Sequence, residues 1–267
     1  MSGRNSITVR QVMPSPTRAR FVGLTVGILL LSAPATTSAT SRSIGSPHGG
    51  YLVDGFELPL EGHHHRFFDA IEGRQTNYAT LQLAALIGRA ARVVATAMPG
   101  GARLVLGDCS VEGGGHVKRH KSHRSGRDVD ILFYRVDGSG RSLPADGFMR
   151  FDGRGQCRGR RCKTRLDVPR TWWLLRTLLV SQLPAVQYAF VSRPIRRLLL
   201  AYAQSRGEHA EVLRRAEKVI RQPRGAAPHD DHIHLRTYCT ASDLQAGCKN
   251  SGPRWPWVSE IGEAQPL

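Results

Sequence analysis

The stretch HKSHRSGRDVDILFY, His120 to Tyr134, passes from a basic, glycine-containing loop into a short β-branched and aromatic run, which reads as a loop entering a strand. Residues two apart on a strand share a face, so Asp128 and Asp130 point the same way. The same alternation pairs His232 with His234 in HDDHIH, His229 to His234, on a second strand. Imidazoles and carboxylates are thereby made ready to converge. A hydrolytic zinc site takes three ligands from His, Asp or Glu and keeps a fourth position for water, and His123, Asp130 and His234 meet that requirement. The expected fold is α+β, with a small antiparallel β-sheet carrying the zinc site and helices flanking it.

Ser122-His123-Arg124-Ser125-Gly126-Arg127-Asp128-Val129-Asp130 resembles the S-H-x-x-G-x-D-V-D motif of the penicillin-insensitive murein endopeptidases. That family lies within the wider group of lysostaphin-like, D-Ala-D-Ala-cleaving and hedgehog-type zinc domains. His229, His232, His234, Leu235 and Arg236 are similar to its second motif, H-x-x-H-x-H-V-R, with leucine in place of valine. The resemblance runs from Ser43 to about Cys248. It implies zinc on His123, Asp130 and His234, proton transfer by His232 and His229, and His120 and Asp128 beside the ligands or in the cleft. Cys239 and Cys248 stand at about the offset of the family's short disulfide loop. What is implied is a periplasmic zinc endopeptidase that cuts peptide cross-links of peptidoglycan, with D-alanyl-diaminopimelate as the bond. Composition and spacing alone support a secreted metal-dependent amidohydrolase. The alternatives are a D,D-carboxypeptidase or dipeptidase on stem peptides, and a non-catalytic zinc-containing wall-binding module.

Residues 1–35 carry Arg4, Arg10, Arg18 and Arg20 without any Asp or Glu, then an apolar run from Phe21 to Leu31 that ends in Ser32-Ala33-Pro34-Ala35. This is the pattern of a secretory signal peptide, with cleavage expected after Ala35 or as late as Ala39. The run is shorter than the roughly 20 apolar residues of a membrane span, so no stable span is expected after cleavage. Residues 43–267 are expected to form a single domain with an irregular C-terminal tail. The chain has 38 Lys and Arg against 21 Asp and Glu, a net charge of +17, and attracts anionic polymers over distance. For an exported protein the expected partner is the acidic cell-wall polymer and not nucleic acid. Five cysteines in such a protein favour disulfides, and Cys157 with Cys162 and Cys239 with Cys248 are the two short-loop pairings, leaving Cys109 over.

Leu83, Leu86, Ile87, Ala90, Val94 and Ala97 recur at helical spacing, and Thr76 or Asn77 is the expected cap. The glycines 113–115 continue into His116-Val117-Lys118, so they are no phosphate-binding loop, and no H-E-x-x-H is present. His116 lies in the same loop as His120. His63, His64 and His65 read as a surface loop, and Asp230 and Asp231 as polar loop residues. The arginine-rich segment from Asp137 to Arg170 is expected to be pinned by Cys157 and Cys162, its arginines solvated or lining a groove.

Overall fold

Alternation along one strand divides a whole sheet into an apolar face and a polar one. The computed structural model describes residues 40–159 and 161–258. The expected signal peptide and its cleavage site lie outside the described residues. Strands β1 (His65–Phe67), β2 (Leu104–Leu106), β3 (Asp128–Leu132), β4 (Val186–Phe190), β5 (Ile220–Arg221) and β6 (His232–Thr237) form one sheet in the order β5-β4-β6-β3-β2-β1. The α+β expectation holds. The sheet is larger than the small antiparallel one expected, because the antiparallel strands β4, β6, β3 and β2 gain a parallel neighbour at each edge. A parallel pair needs a crossover. Helix α1 (Leu81–Ala97) lies between β1 and β2, and α3 (Arg193–Ser205) and α4 (Ala210–Val219) lie between β4 and β5, after α2 (Val168–Val180).

In the central pairing Asp128 stands opposite Arg236, Val129 opposite Leu235, Asp130 opposite His234, Ile131 opposite Ile233 and Leu132 opposite His232. Paired residues share a face. Val129, Ile131, Ile233 and Leu235 are fully buried and join the core formed with the helices. Each such side chain contributes about 1.5–3 kcal/mol by leaving water. A slip of one residue would turn Asp128 and Asp130 into that core, so hydrophobic burial fixes the register that the polar face uses.

Helix α1 begins later than Thr76 or Asn77. Tyr78 and Ala79 pair with Phe56 and Glu57 as a two-stranded ribbon, and Thr80 becomes the cap, its hydroxyl accepting from the Leu83 amide at 3.3 Å. Helix α2 is capped by Asp167, whose carboxylate accepts from the Arg170 amide, and Pro169 sits in its first turn. No helix among the described residues is long and apolar enough to cross a membrane.

Arg135–Val136, Ser142–Leu143 and Arg165–Leu166 form a three-stranded antiparallel sheet, and the Cys157–Cys162 disulfide closes a loop within it. The Cys239–Cys248 disulfide spans α5 (Ala241–Gln245), and Cys109 is a buried free thiol, so both expected pairings are present. In the C-terminal tail Trp255 is buried, and its indole N–H donates to the Gln187 carbonyl at 2.8 Å.

Arg127 is 1 % exposed, and its fork donates to the Ser43 hydroxyl (2.9 Å), the Thr237 carbonyl (2.9 Å) and the Lys249 carbonyl (3.2 Å). It ties the short strand Arg42–Ile44 to the end of β6 and to the residue that follows Cys248. Arg127→Met strands those acceptors in the interior and is expected to lower stability by roughly 2–4 kcal/mol, read from urea unfolding. Arg127→Lys recovers little of it, since one ammonium cannot span the fork.

Candidate metal centre

Adjacency of β3 and β6 sets Asp130 against His234, and the loop before β3 supplies His123. The backbone of His123 is left-handed, with φ 66°, a conformation that costs a non-glycine residue about 1–2 kcal/mol. Its surroundings hold it there. The Ser110 hydroxyl donates to the His123 carbonyl at 2.5 Å, and the His123 amide donates to Asp128 Oδ2 at 3.3 Å. Gly126, at φ 72°, is required as well, because a Cβ there would lie 2.6 Å from Leu52 Cδ1 and 3.0 Å from the Thr80 nitrogen.

The three expected ligands converge. His123 Nε2 lies 3.3 Å from Asp130 Oδ1, His234 Nδ1 lies 3.1 Å from the same oxygen, and the two ring nitrogens are 3.2 Å apart. Donors at about 2.0–2.1 Å from a tetrahedral zinc stand about 3.3–3.4 Å from one another, so the set has the right size. Its chemistry fits too. Both oxygens of Asp130 are buried without a hydrogen-bond partner, although ring nitrogens surround them. The opposite nitrogen of each ring is engaged, His123 Nδ1 with the Cys109 carbonyl at 3.1 Å and His234 Nε2 with Asp128 Oδ1 at 3.0 Å. Those partners direct the ring N–H groups outward and leave lone pairs facing the carboxylate, an arrangement that a cation stabilises. Two further triples, His229 with His232 and His234, and His120 with His123 and Asp130, have donor atoms within 4.8 Å of one another.

A ring of polar partners surrounds these residues. Asp128 is fully buried and accepts from His234 and, at 2.6 Å, from Arg236 Nε, as its place on the ligand face implied. His120 sets one nitrogen 3.8 Å from Asp130 Oδ2 and the other 3.1 Å from Asp108 Oδ2. Asp108 also accepts from Thr76 and Arg74. His116 stays exposed, 3.5 Å from an Arg124 nitrogen. His232 donates from Nδ1 to Asp231 at 2.6 Å and turns Nε2 to within 3.4 Å of Asp130. His229, left-handed at φ 54°, stands with its ring centroid 4.8 Å from that of His232.

Asp231 is thus more than a loop residue. Asp230 is too: buried, it receives Arg150 Nε at 2.9 and 3.0 Å, and its carbonyl accepts from the Phe151 amide. This contact docks the segment 137–170 onto the second motif and brings the Phe148 ring edge-on to His232, 5.2 Å between centroids. Asp108, Ser110 and Phe148 were not singled out from sequence. The one signal for the first two is a carboxylate and a hydroxyl at the start of the loop that directly follows an apolar strand.

Charges in the cluster oppose one another. Burial would raise the Asp128 carboxyl, but Arg236 and His234 hold it well below the ordinary carboxylate range. Burial lowers His229 to about 4, helped by His232 and His234. Burial would lower His232 too, yet the Asp130 and Asp231 carboxylates raise it to about 10. Burial pushes the Cys109 thiol up, and Asp130 adds to the shift, so Cys109 is no thiolate nucleophile. Asp128→Ala is expected to weaken metal affinity about 10–100-fold, because His234 loses its outer partner. It also leaves Arg236 buried and unpaired, costing about 3–5 kcal/mol, and metal titration alongside thermal unfolding measures both effects.

A comparison with curated proteins finds no match. The family model for penicillin-insensitive murein endopeptidase matches residues 43–256, which takes in both motifs, the sheet and the Cys239–Cys248 loop. On that extent of agreement, the chain belongs to the penicillin-insensitive murein endopeptidase family.

Proposed function

We propose that this murein endopeptidase is zinc-dependent, acts in the periplasm after removal of a signal peptide ending at residue 35 to 39, and cuts D-alanyl-diaminopimelate cross-links of peptidoglycan with one domain spanning 43–267. The observation that carries the reading is Asp130, a buried carboxylate with both oxygens unpartnered and three histidine nitrogens within 3.4 Å of Oδ1. His123, Asp130 and His234 would hold the metal. Zinc bound there supplies a Lewis acid for the amide carbonyl and lowers the pKa of water to about 7.

The remaining work falls to side chains. Asp128 fixes the His234 ring, and the Cys109 carbonyl fixes His123. His232, steadied by Asp231, is the group nearest Asp130 that is left to carry a proton, and its place suits donation to the leaving amine. His229, its Nδ1 bound to the Ala227 carbonyl at 2.7 Å, presents its other nitrogen as an acceptor. Phe148 covers His232 and limits access of bulk water from that side.

His123→Ala, Asp130→Ala and His234→Ala are each expected to lose zinc and activity together, measured by metal analysis and by chromatography of muropeptides from digested sacculi. Full zinc content with undiminished turnover in any of them removes that ligand. Conversion of cross-linked dimers to monomers is the expected product pattern, whereas pentapeptides shortened by one residue would mean a carboxypeptidase. His232→Ala and His229→Ala are expected to retain zinc and lose rate by about 10²–10⁴-fold. Parental rates in zinc-replete variants would make these histidines structural.

A further inference from the structure

The cleft over His229, His232 and His234, of about 1540 Å³, continues across β4 to β5 and the start of α3. Its floor is one row of cross-strand neighbours. Asp130 pairs with His234, His234 with Phe190, and Phe190 with Arg221. Neighbours in register face the same side, about 4.8 Å apart per strand, so Arg221 stands roughly 10 Å from His234. Between them Tyr188 and Phe190 stack at 4.8 Å with planes 22° apart, and the Arg221 guanidinium lies 5.8 Å from the Tyr188 ring centre.

Beyond that floor the wall is cationic. Eight Arg or Lys residues line the cleft, against Glu217 alone among described acidic residues. Arg196 is used up on the Ile220 and Glu217 carbonyls, and Arg236 on Asp128. Arg193, Arg197 and Arg224 are exposed, and their side chains have no hydrogen bond or ion pair among the described residues. In so basic a chain, exposed arginines are common and carry no message singly. These three share a concave surface whose one described carboxylate is that of Glu217, and an aromatic floor joins them to the histidine cluster. Such a surface focuses the field of one sign and selects anions. Within the 137–170 segment Arg150 and Arg158 do otherwise, being drawn to Asp230.

We propose that Arg193, Arg197 and Arg224, with Arg221 at the edge of the floor, form a carboxylate-binding subsite for an acidic peptide substrate, displaced from the bond that is cut. This rests on the reading of the cluster as hydrolytic. An extended peptide advances about 3.3–3.6 Å per residue, so 10 Å places the subsite about three residues from the reacting carbonyl. Guanidinium forks bind carboxylates through paired, charge-assisted hydrogen bonds, which gives the wall geometric selectivity as well as attraction.

The test is calorimetry of the intact chain with disaccharide-tetrapeptide muropeptide monomer, which carries free carboxylates and no cross-link, and with the same monomer amidated at those carboxylates. The parent chain is expected to bind the acidic monomer about ten-fold more tightly, as a charge-assisted hydrogen bond implies. Arg193→Gln/Arg197→Gln/Arg224→Gln should abolish that preference. Arg42→Gln/Arg92→Gln/Lys163→Gln, which removes the same charge from positions outside the cleft, should retain it. Equal affinity of the parent for both monomers overturns the proposal, and so does an equal loss in both triple variants, since either outcome leaves only general attraction. Assays on cross-linked dimers separate the two readings: cleavage without the preference sinks the subsite alone, and the preference without cleavage supports the subsite while removing the hydrolase.

Discussion

One buried carboxylate holds the two halves of the site together. Asp128 takes Arg236 and His234 from β6 and the backbone amide of His123 from the preceding loop, so residues more than a hundred positions apart meet on its two oxygens. Withdrawing an anion from water is costly, and the cost is recovered only where several donors with good geometry replace the lost hydration. That condition constrains both motifs at once. The strand must place Asp128 two residues before Asp130, and the partner strand must follow His234 with Arg236 two residues later. The recurring spacing of two is the imprint of one sheet face on two segments of sequence.

The same period made part of the molecule legible in advance. Asp128 with Asp130 and His232 with His234 follow from strand alternation, and the expected ligand set follows from adding His123. Periodicity is silent on His123, because its left-handed backbone belongs to a loop, and the need for a third ligand together with the resemblance of its motif singled it out. It is also silent on Asp108, Ser110, Asp230 and Asp231, whose partners are brought by tertiary contact. The start of α1 moved to Thr80 for a similar reason: Tyr78 and Ala79 were claimed by a ribbon with Phe56 and Glu57, and pairing outweighed the capping capacity of Thr76 and Asn77. The parallel edges of the sheet come from crossovers that no local pattern announces.

Charge shows the limits of composition most clearly. The excess of arginine in 137–170 left solvated surface and groove lining both open, yet that segment uses Arg150 and Arg158 to grip Asp230 and so becomes part of the housing of the second motif. The cationic wall is instead built by α3 and the turn after β5, residues whose sequence neighbourhood reads as ordinary solvated helix and loop. Position in the fold, and not local density of charge, decides which arginines face a cleft and which serve as fasteners.

The order of strands in the sheet has a consequence in time. Strand β6 is the last in the chain, yet it lies between β3 and β4 at the centre. A nascent chain emerging from its N-terminus can form helices and the β1–β2 edge, but β3 and β4 have no common neighbour until residues 232–237 arrive. Until then His123 and Asp130 lack His234, and Asp128 lacks both His234 and Arg236. Arrival of residues 232–237 is therefore the event that assembles the cluster, and a chain truncated anywhere before β6 lacks it.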